Sequence, residues 1–156
     1  MAAGDPPLSR ARRPQSVLFA CTYNAIRSPM AEALARRLFG REIFFASAGM
    51  RAGEKDLFTT IVLQEIGIDI SRRQPQSLGE LDDLSFDLIV SLSPEAHHHA
   101  LEFTRSVAVD VIYWPTFDPS RTQGSRETIL EAYRDVRDGL EERIMQEFAK
   151  PIGGGV

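Results

Sequence analysis

The chain has 156 residues, 43% of them hydrophobic, and a formal net charge of −4, which fits one domain with a sizeable core and excludes the global basic field of a nucleic-acid binder. No apolar stretch approaches the ~20 residues that cross a bilayer, and no signal-type hydrophobic region follows Met1. The single cysteine, Cys21, allows neither an internal disulfide nor a cysteine-rich zinc site, so a cytoplasmic location without a membrane partner is expected.

Residues 1–14 are rich in proline and charge, carry Arg10, Arg12 and Arg13, and lack periodicity. They read as a solvated, mobile tail. The first apolar run, 17–20, is a strand signal, and Cys21 follows it directly. Residues 28–39 have Met30, Leu34 and Leu38 at helical spacing, with Pro29 suited to the first turn and Gly40 to the stop. A second strand is predicted over 43–46, followed by a loop at 47–49. A helix over 57–66 then presents Leu57, Ile61, Val62 and Ile66 and ends at Gly67. The third and fourth strands are predicted over 86–92 and 107–114, separated by a helix over 94–103. After a loop at 115–119, Ser125 caps the longest helix, in which Ile129, Tyr133, Val136, Leu140, Ile144 and Phe148 recur at three- and four-residue steps. Residues 151–156 read as a frayed end, leaving one domain over 15–150.

Strands alternating with helices predict an α/β fold: a doubly wound, four-stranded parallel sheet flanked by helices on both faces. Ligands of such sheets settle at the carboxyl ends of the strands, near a topological switch. Cys21 stands at one such end, and the loops at 47–49 and 115–119 open on the same edge.

The segment Cys21-Thr22-Tyr23-Asn24-Ala25-Ile26-Arg27-Ser28 therefore lies where a strand turns into a helix. First-turn N–H groups lack intrahelical partners, and the helix dipole favours negative charge there. A free cysteine is most often a small core hydrophobe. Here the backbone of residues 22–27 and the Arg27 guanidinium would bias the thiol toward thiolate and cradle a tetrahedral oxyanion. Ser28 is either a donor to that thiolate or the helix N-cap. In-line attack by Cys21 on a phosphoryl group would leave Arg27 to neutralise the equatorial oxygens. The leaving oxygen needs a proton donor, for which Asp118 is the candidate, between Phe117 and Pro119; an Asp-Pro pair alone is usually a turn. The run His97-His98-His99 does not make a metal site, because successive helical residues point about 100° apart. No metal and no cofactor are expected.

The Cys-x5-Arg-Ser core with Asn24 inside it, the helix start Pro29-Met30-Ala31-Glu32, the Ser47-Ala48-Gly49 and Gly67-Ile68-Asp69 segments and the late Asp118-Pro119 pair resemble the low-molecular-weight protein tyrosine phosphatases. The superfamily also holds thiol-dependent arsenate reductases. The resemblance runs from about Ser16 to Phe148. It implies hydrolysis of phosphotyrosine or aryl phosphate through a phosphocysteine, with Cys21 as nucleophile, Arg27 as transition-state clamp, Asp118 as general acid, Asn24 stabilising an unusual loop backbone and Ser28 donating to the thiolate. It also implies a phosphorylated protein or small aryl phosphate as substrate, inorganic phosphate as product, and a monomer or weak dimer.

Three departures stand out. Tyr23 replaces the glycine common before the loop asparagine, Ile26 replaces a second loop cysteine found in many phosphatases, and Ser120 and Arg121 stand where tyrosines typically wall the phenyl pocket. Tyr23, Phe117 and Trp114 are candidates for a substitute wall. Two alternatives remain: an arsenate reductase served by an external thiol, because no second thiol exists in the chain, and a non-catalytic module that binds phosphorylated partners or oxyanions.

Overall fold

In the computed structural model, residues 13–149 are described. β1 (Ser16–Cys21), β2 (Phe44–Gly49), β3 (Leu88–Ser91) and β4 (Asp110–Tyr113) alternate with α1 (Arg27–Phe39), α2 (Leu57–Gln64), α3 (Pro94–Phe103) and α4 (Arg126–Phe148). The sheet order is β2-β1-β3-β4 and every pairing is parallel. The chain leaves β1 toward β2 and later returns to the other side of β1, so the carboxyl ends of β1 and β3 flank the topological switch. Cys21 is the last residue of β1, opposite Gly49 of β2.

Alternation along β1 divides the core. Val17, Phe19 and Cys21 face one layer with Met30 and Leu34 of α1 and Tyr133, Leu140, Ile144 and Phe148 of α4. Leu18 and Ala20 face the other with Ala96 and Ala100 of α3. The first layer is dominated by rings: Phe19 lies 5.9 Å from Phe45 and 6.5 Å from Phe148, and Phe148 sits 5.5 Å from Phe45. The α4 face forms as its spacing predicts, because Tyr133, Val136, Leu140, Ile144 and Phe148 are all buried. Each such side chain contributes roughly 1.5–3 kcal/mol of burial.

The differences from the predicted elements have local causes. β2 extends through Ser47-Ala48-Gly49, which reads as a loop in sequence, because small residues admit the neighbouring backbone. A Cβ at Gly49 would stand 2.6 Å from the Arg51 carbonyl oxygen and 2.7 Å from the Asn24 nitrogen. α2 stops at Gln64, and its inward face carries Thr59, Val62 and Leu63, leaving Leu57 67% exposed. Gly67, at φ +86°, makes the turn that follows. Arg13 is not solvated: its guanidinium lies 5.3 Å over the Phe39 ring and pairs with Glu42. The rest of the expected tail, with Arg10 and Arg12, and the expected frayed end at 151–156 lie outside the described residues. No helix among the described residues is long and apolar enough to cross a membrane.

Candidate active site

Beyond Cys21 the chain folds back as a loop and enters α1 at Arg27. The loop is held from outside by a second strand-like segment: Met50, Arg51 and Gly53 donate their N–H groups to the carbonyls of Cys21, Thr22 and Tyr23 at 3.1, 3.0 and 2.9 Å. On its other side Thr22 Oγ1 donates to Ser93 Oγ at 3.0 Å, and Ser93 caps α3 through the Ala96 N–H. The N-cap position of α1 is Ile26, whose side chain makes no capping bond. An aliphatic residue there offers the first-turn amides no acceptor, which suits an anion site.

Asn24 is the residue around which the loop is built. It has φ +54°, the one positive value among described non-glycine residues, and is fully buried. Its Nδ2 donates to Ser28 Oγ at 2.8 Å and Ser47 Oγ at 3.0 Å, while its Oδ1 accepts from Arg73 Nη2 and the Gln76 N–H, both at 2.9 Å. Behind it, Arg73 Nη2 also reaches Ser47 Oγ at 2.6 Å and Glu32 Oε1 at 3.2 Å, and Ser47 Oγ donates to Glu32 Oε1 at 2.5 Å. The Glu32 carboxylate is thus buried with a cationic partner and a hydroxyl donor, the condition under which a buried charge is tolerated.

Cys21 is 2% exposed, with Sγ 2.9 Å from Ser28 Oγ. Asn24 Nδ2 donates to that same hydroxyl at 2.8 Å, which leaves the Ser28 proton available to the sulfur. Ser28 is therefore not the N-cap; it lies inside the first turn of α1. Arg27 Nη1 donates to the Thr116 carbonyl at 3.2 Å. That bond ties the head of α1 to the segment bearing Asp118, two residues further on. Asp118 is half-buried and caps the 3-10 turn Pro119–Arg121, its Oδ1 accepting from Ser120 N at 3.0 Å and Ser120 Oγ at 2.7 Å. Among the described residues its Oδ2 makes no such bond. No hydrogen bond or ion pair among the described residues joins Asp118 to Cys21 or Arg27, so the structure brings the loops together without closing a contact between those side chains.

Trp114 is 4% exposed and packs on Phe19 and Phe148, so it is core and not a pocket wall. Tyr23 and Phe117 are 50% and 59% exposed. Ala25 and Ile26 are half-buried, Ile26 resting on the main core. His97 has specific partners, stacking 4.3 Å from Tyr113 and meeting Ser91 Oγ at 2.9 Å through Nδ1. His98 and His99 are exposed, and no cluster of potential metal ligands occurs among the described residues. Nothing in the sequence marks Arg73 and Gln76, because the polar stretch around them has no periodicity. Ser47 and Glu32 did carry a signal, standing in segments that belong to the family resemblance.

A parallel α/β sheet with a Cys-x5-Arg loop and a buried thiol at its topological switch defines a class of oxyanion-handling enzymes. The chain belongs to the low molecular weight phosphotyrosine protein phosphatase family, whose model matches residues 16–152. The arsenate reductase of Bacillus subtilis (strain 168) is 33% identical over 135 residues, 86% of this chain and 94% of its own. Among solved structures, the low-molecular-weight protein tyrosine phosphatase of T. tengcongensis superposes with a TM-score of 0.69 at 28% identity, covering 83% of this chain and 95% of that one. An arsenate reductase in its phosphate-binding state gives 0.72 at 26% identity, covering 87% and 98%.

Proposed function

We propose that the protein hydrolyses phosphotyrosine or aryl phosphate monoesters through a phosphocysteine. The observation that carries this reading is that Cys21, the one thiol in the chain, is hydrogen-bonded to Ser28 at the head of the Arg27 helix. In the first step the Cys21 sulfur attacks phosphorus in line, an S–P bond forms and the P–O bond to the leaving group breaks. The loop amides and Arg27 hold the equatorial oxygens, and Asp118 transfers a proton to the departing oxygen. In the second step Asp118 takes a proton from water, the hydroxyl attacks phosphorus, and phosphate leaves as the S–P bond breaks.

The relatives named arsenate reductase favour a second reading, in which Cys21 bonds arsenate. Releasing arsenite then requires a thiol to attack that sulfur, with the S–As electron pair leaving on arsenic. This chain would have to borrow the thiol. The proposed substrates are accordingly a phosphorylated protein or a small aryl phosphate, without cofactor and without nucleic acid, in a cytoplasmic monomer or weak dimer.

Hydrolysis of an aryl phosphate by the purified protein tests the reading. Cys21→Ser is expected to abolish turnover and retain phosphate binding, and Asp118→Ala to slow release of poor leaving groups by roughly 10²- to 10⁴-fold. Arsenate consumption with an added thiol, without phosphatase turnover, would transfer the assignment to the reductase. Inertness in both assays, with phosphate still bound, would leave an oxyanion-binding module.

A further inference from the structure

Tyr23 is two residues from the sulfur, on the rim of the oxyanion loop, with half its surface open. An exposed tyrosine is ordinary; a clamped one is not. Gly53 donates its N–H to the Tyr23 carbonyl at 2.9 Å, and a Cβ at position 53 would come within 2.8 Å of Tyr23 Cβ, so only glycine leaves room for the base of the ring. The Arg51 guanidinium lies 5.3 Å from the ring centroid. Arg51 is gripped in turn by both carboxylate oxygens of Glu95, at 3.1 and 2.9 Å, and Glu95 stands in the first turn of α3.

Gly53 and Arg51 from the segment after β2 and Glu95 from α3 thus hold one exposed ring on the loop that follows the nucleophile. Planar bidentate pairing and cation–π stacking both restrict orientation. A fixed ring has already surrendered the rotamer freedom that a ligand would otherwise have to remove, which is the condition for a preorganised apolar platform. Offset or edge-on packing against such a ring favours another aromatic group over an alkyl chain.

We propose that Tyr23 is a specificity-determining residue whose ring receives the aromatic leaving group of the substrate, and that Arg51, held by Glu95, is the residue that positions it. This inference rests on the phosphatase reading and deepens it by naming the residues that would discriminate aryl from alkyl phosphate monoesters. Inorganic phosphate, which has no leaving group to pack, should be indifferent to Tyr23.

Binding to the Cys21→Ser protein separates the possibilities without turnover. Calorimetric affinities for phenyl phosphate and inorganic phosphate are compared in that background with Tyr23→Ala, Tyr23→Phe and Arg51→Met added. Tyr23→Ala is expected to weaken phenyl phosphate about tenfold and leave inorganic phosphate within twofold. Tyr23→Phe should retain the preference, and Arg51→Met should lose about threefold on phenyl phosphate alone. Equal weakening of both ligands by Tyr23→Ala, or weakening of neither, would overturn the assignment while the oxyanion site stands. An unchanged phenyl phosphate affinity in Arg51→Met would remove Arg51 from its role. Failure of the Cys21→Ser protein to bind inorganic phosphate would overturn the phosphatase reading, and this inference with it.

Discussion

Asn24 meets two demands at once, a left-handed backbone and four hydrogen bonds from one short side chain. Asparagine tolerates positive φ better than other residues with a Cβ, and its amide here spends both donors and both lone pairs. Glycine would keep the backbone and forfeit the bonds; alanine would forfeit both. We therefore expect Asn24→Ala to destabilise the protein by about 3 kcal/mol and Asn24→Gly by about 2 kcal/mol, read from urea unfolding midpoints. Equal costs would show that the backbone conformation adds nothing. At this scale the turn from β1 into α1 was legible, because Cys21, Asn24, Arg27 and Ser28 lie within eight positions. Arg73 was not: it reaches Asn24 from 49 residues away, and a lone arginine in an aperiodic segment carries no sign of the partner it will meet.

Helices announced themselves better than strands. α3 has the predicted bounds 94–103 and α4 the predicted cap and face. β4 spans Asp110–Tyr113 within the predicted 107–114, because it is an edge strand whose one partner, β3, offers only Leu88–Ser91 for pairing. The apolar Phe86 and Leu92 make the sequence predict 86–92 for β3, which spans Leu88–Ser91. Both are buried, yet Phe86 serves by stacking on Phe44 at 6.2 Å rather than by extending the strand. The join between α2 and α4 was invisible in sequence. Asp56 caps α2 through the Thr59 N–H at 2.9 Å, and its other oxygen accepts from the Tyr133 hydroxyl of α4 at 3.2 Å. Burial first, and then the Asp56 carboxylate, push the Tyr133 phenol above its ordinary range. For a group raised in the folded state, the associated stability is present below the unfolded value near pH 10 and is lost as pH climbs toward the folded value. Tyr133→Phe leaves the Asp56 cap in place. It should cost about 1 kcal/mol at neutral pH, and the gap to wild type should narrow above about pH 10 in denaturant titrations. A constant gap across that window would show that Tyr133 does not ionise on unfolding.

On the scale of the molecule, the loop between β1 and α1 takes its shape only once the sheet is assembled. Residues 50–53 follow β2, Ser93 follows β3, Thr116 follows β4, and each is bonded to the segment between Cys21 and Arg27. The parallel α/β order, and with it the convergence of these loops on one edge, was legible from the alternation of strand and helix signals. Which side chains would meet there was not, because register and loop path are set by packing. An anion seated in that loop, as the proposed function requires, would bind the folded chain and have no counterpart site in the unfolded one, so site occupancy and global stability would be linked. Phosphate at 100 times its dissociation constant should add about 2.7 kcal/mol, which raises the melting temperature by roughly 5–10 °C for a chain of this size. The same ionic strength supplied as chloride should do far less. Among the described residues the Arg27 side chain makes one hydrogen bond, to the Thr116 carbonyl, so Arg27→Ala should lower the anion-free melting temperature by only a few degrees while removing most of the phosphate shift. A phosphate shift of full size in Arg27→Ala would mean that the guanidinium does not hold the anion, and that some other part of the surface does.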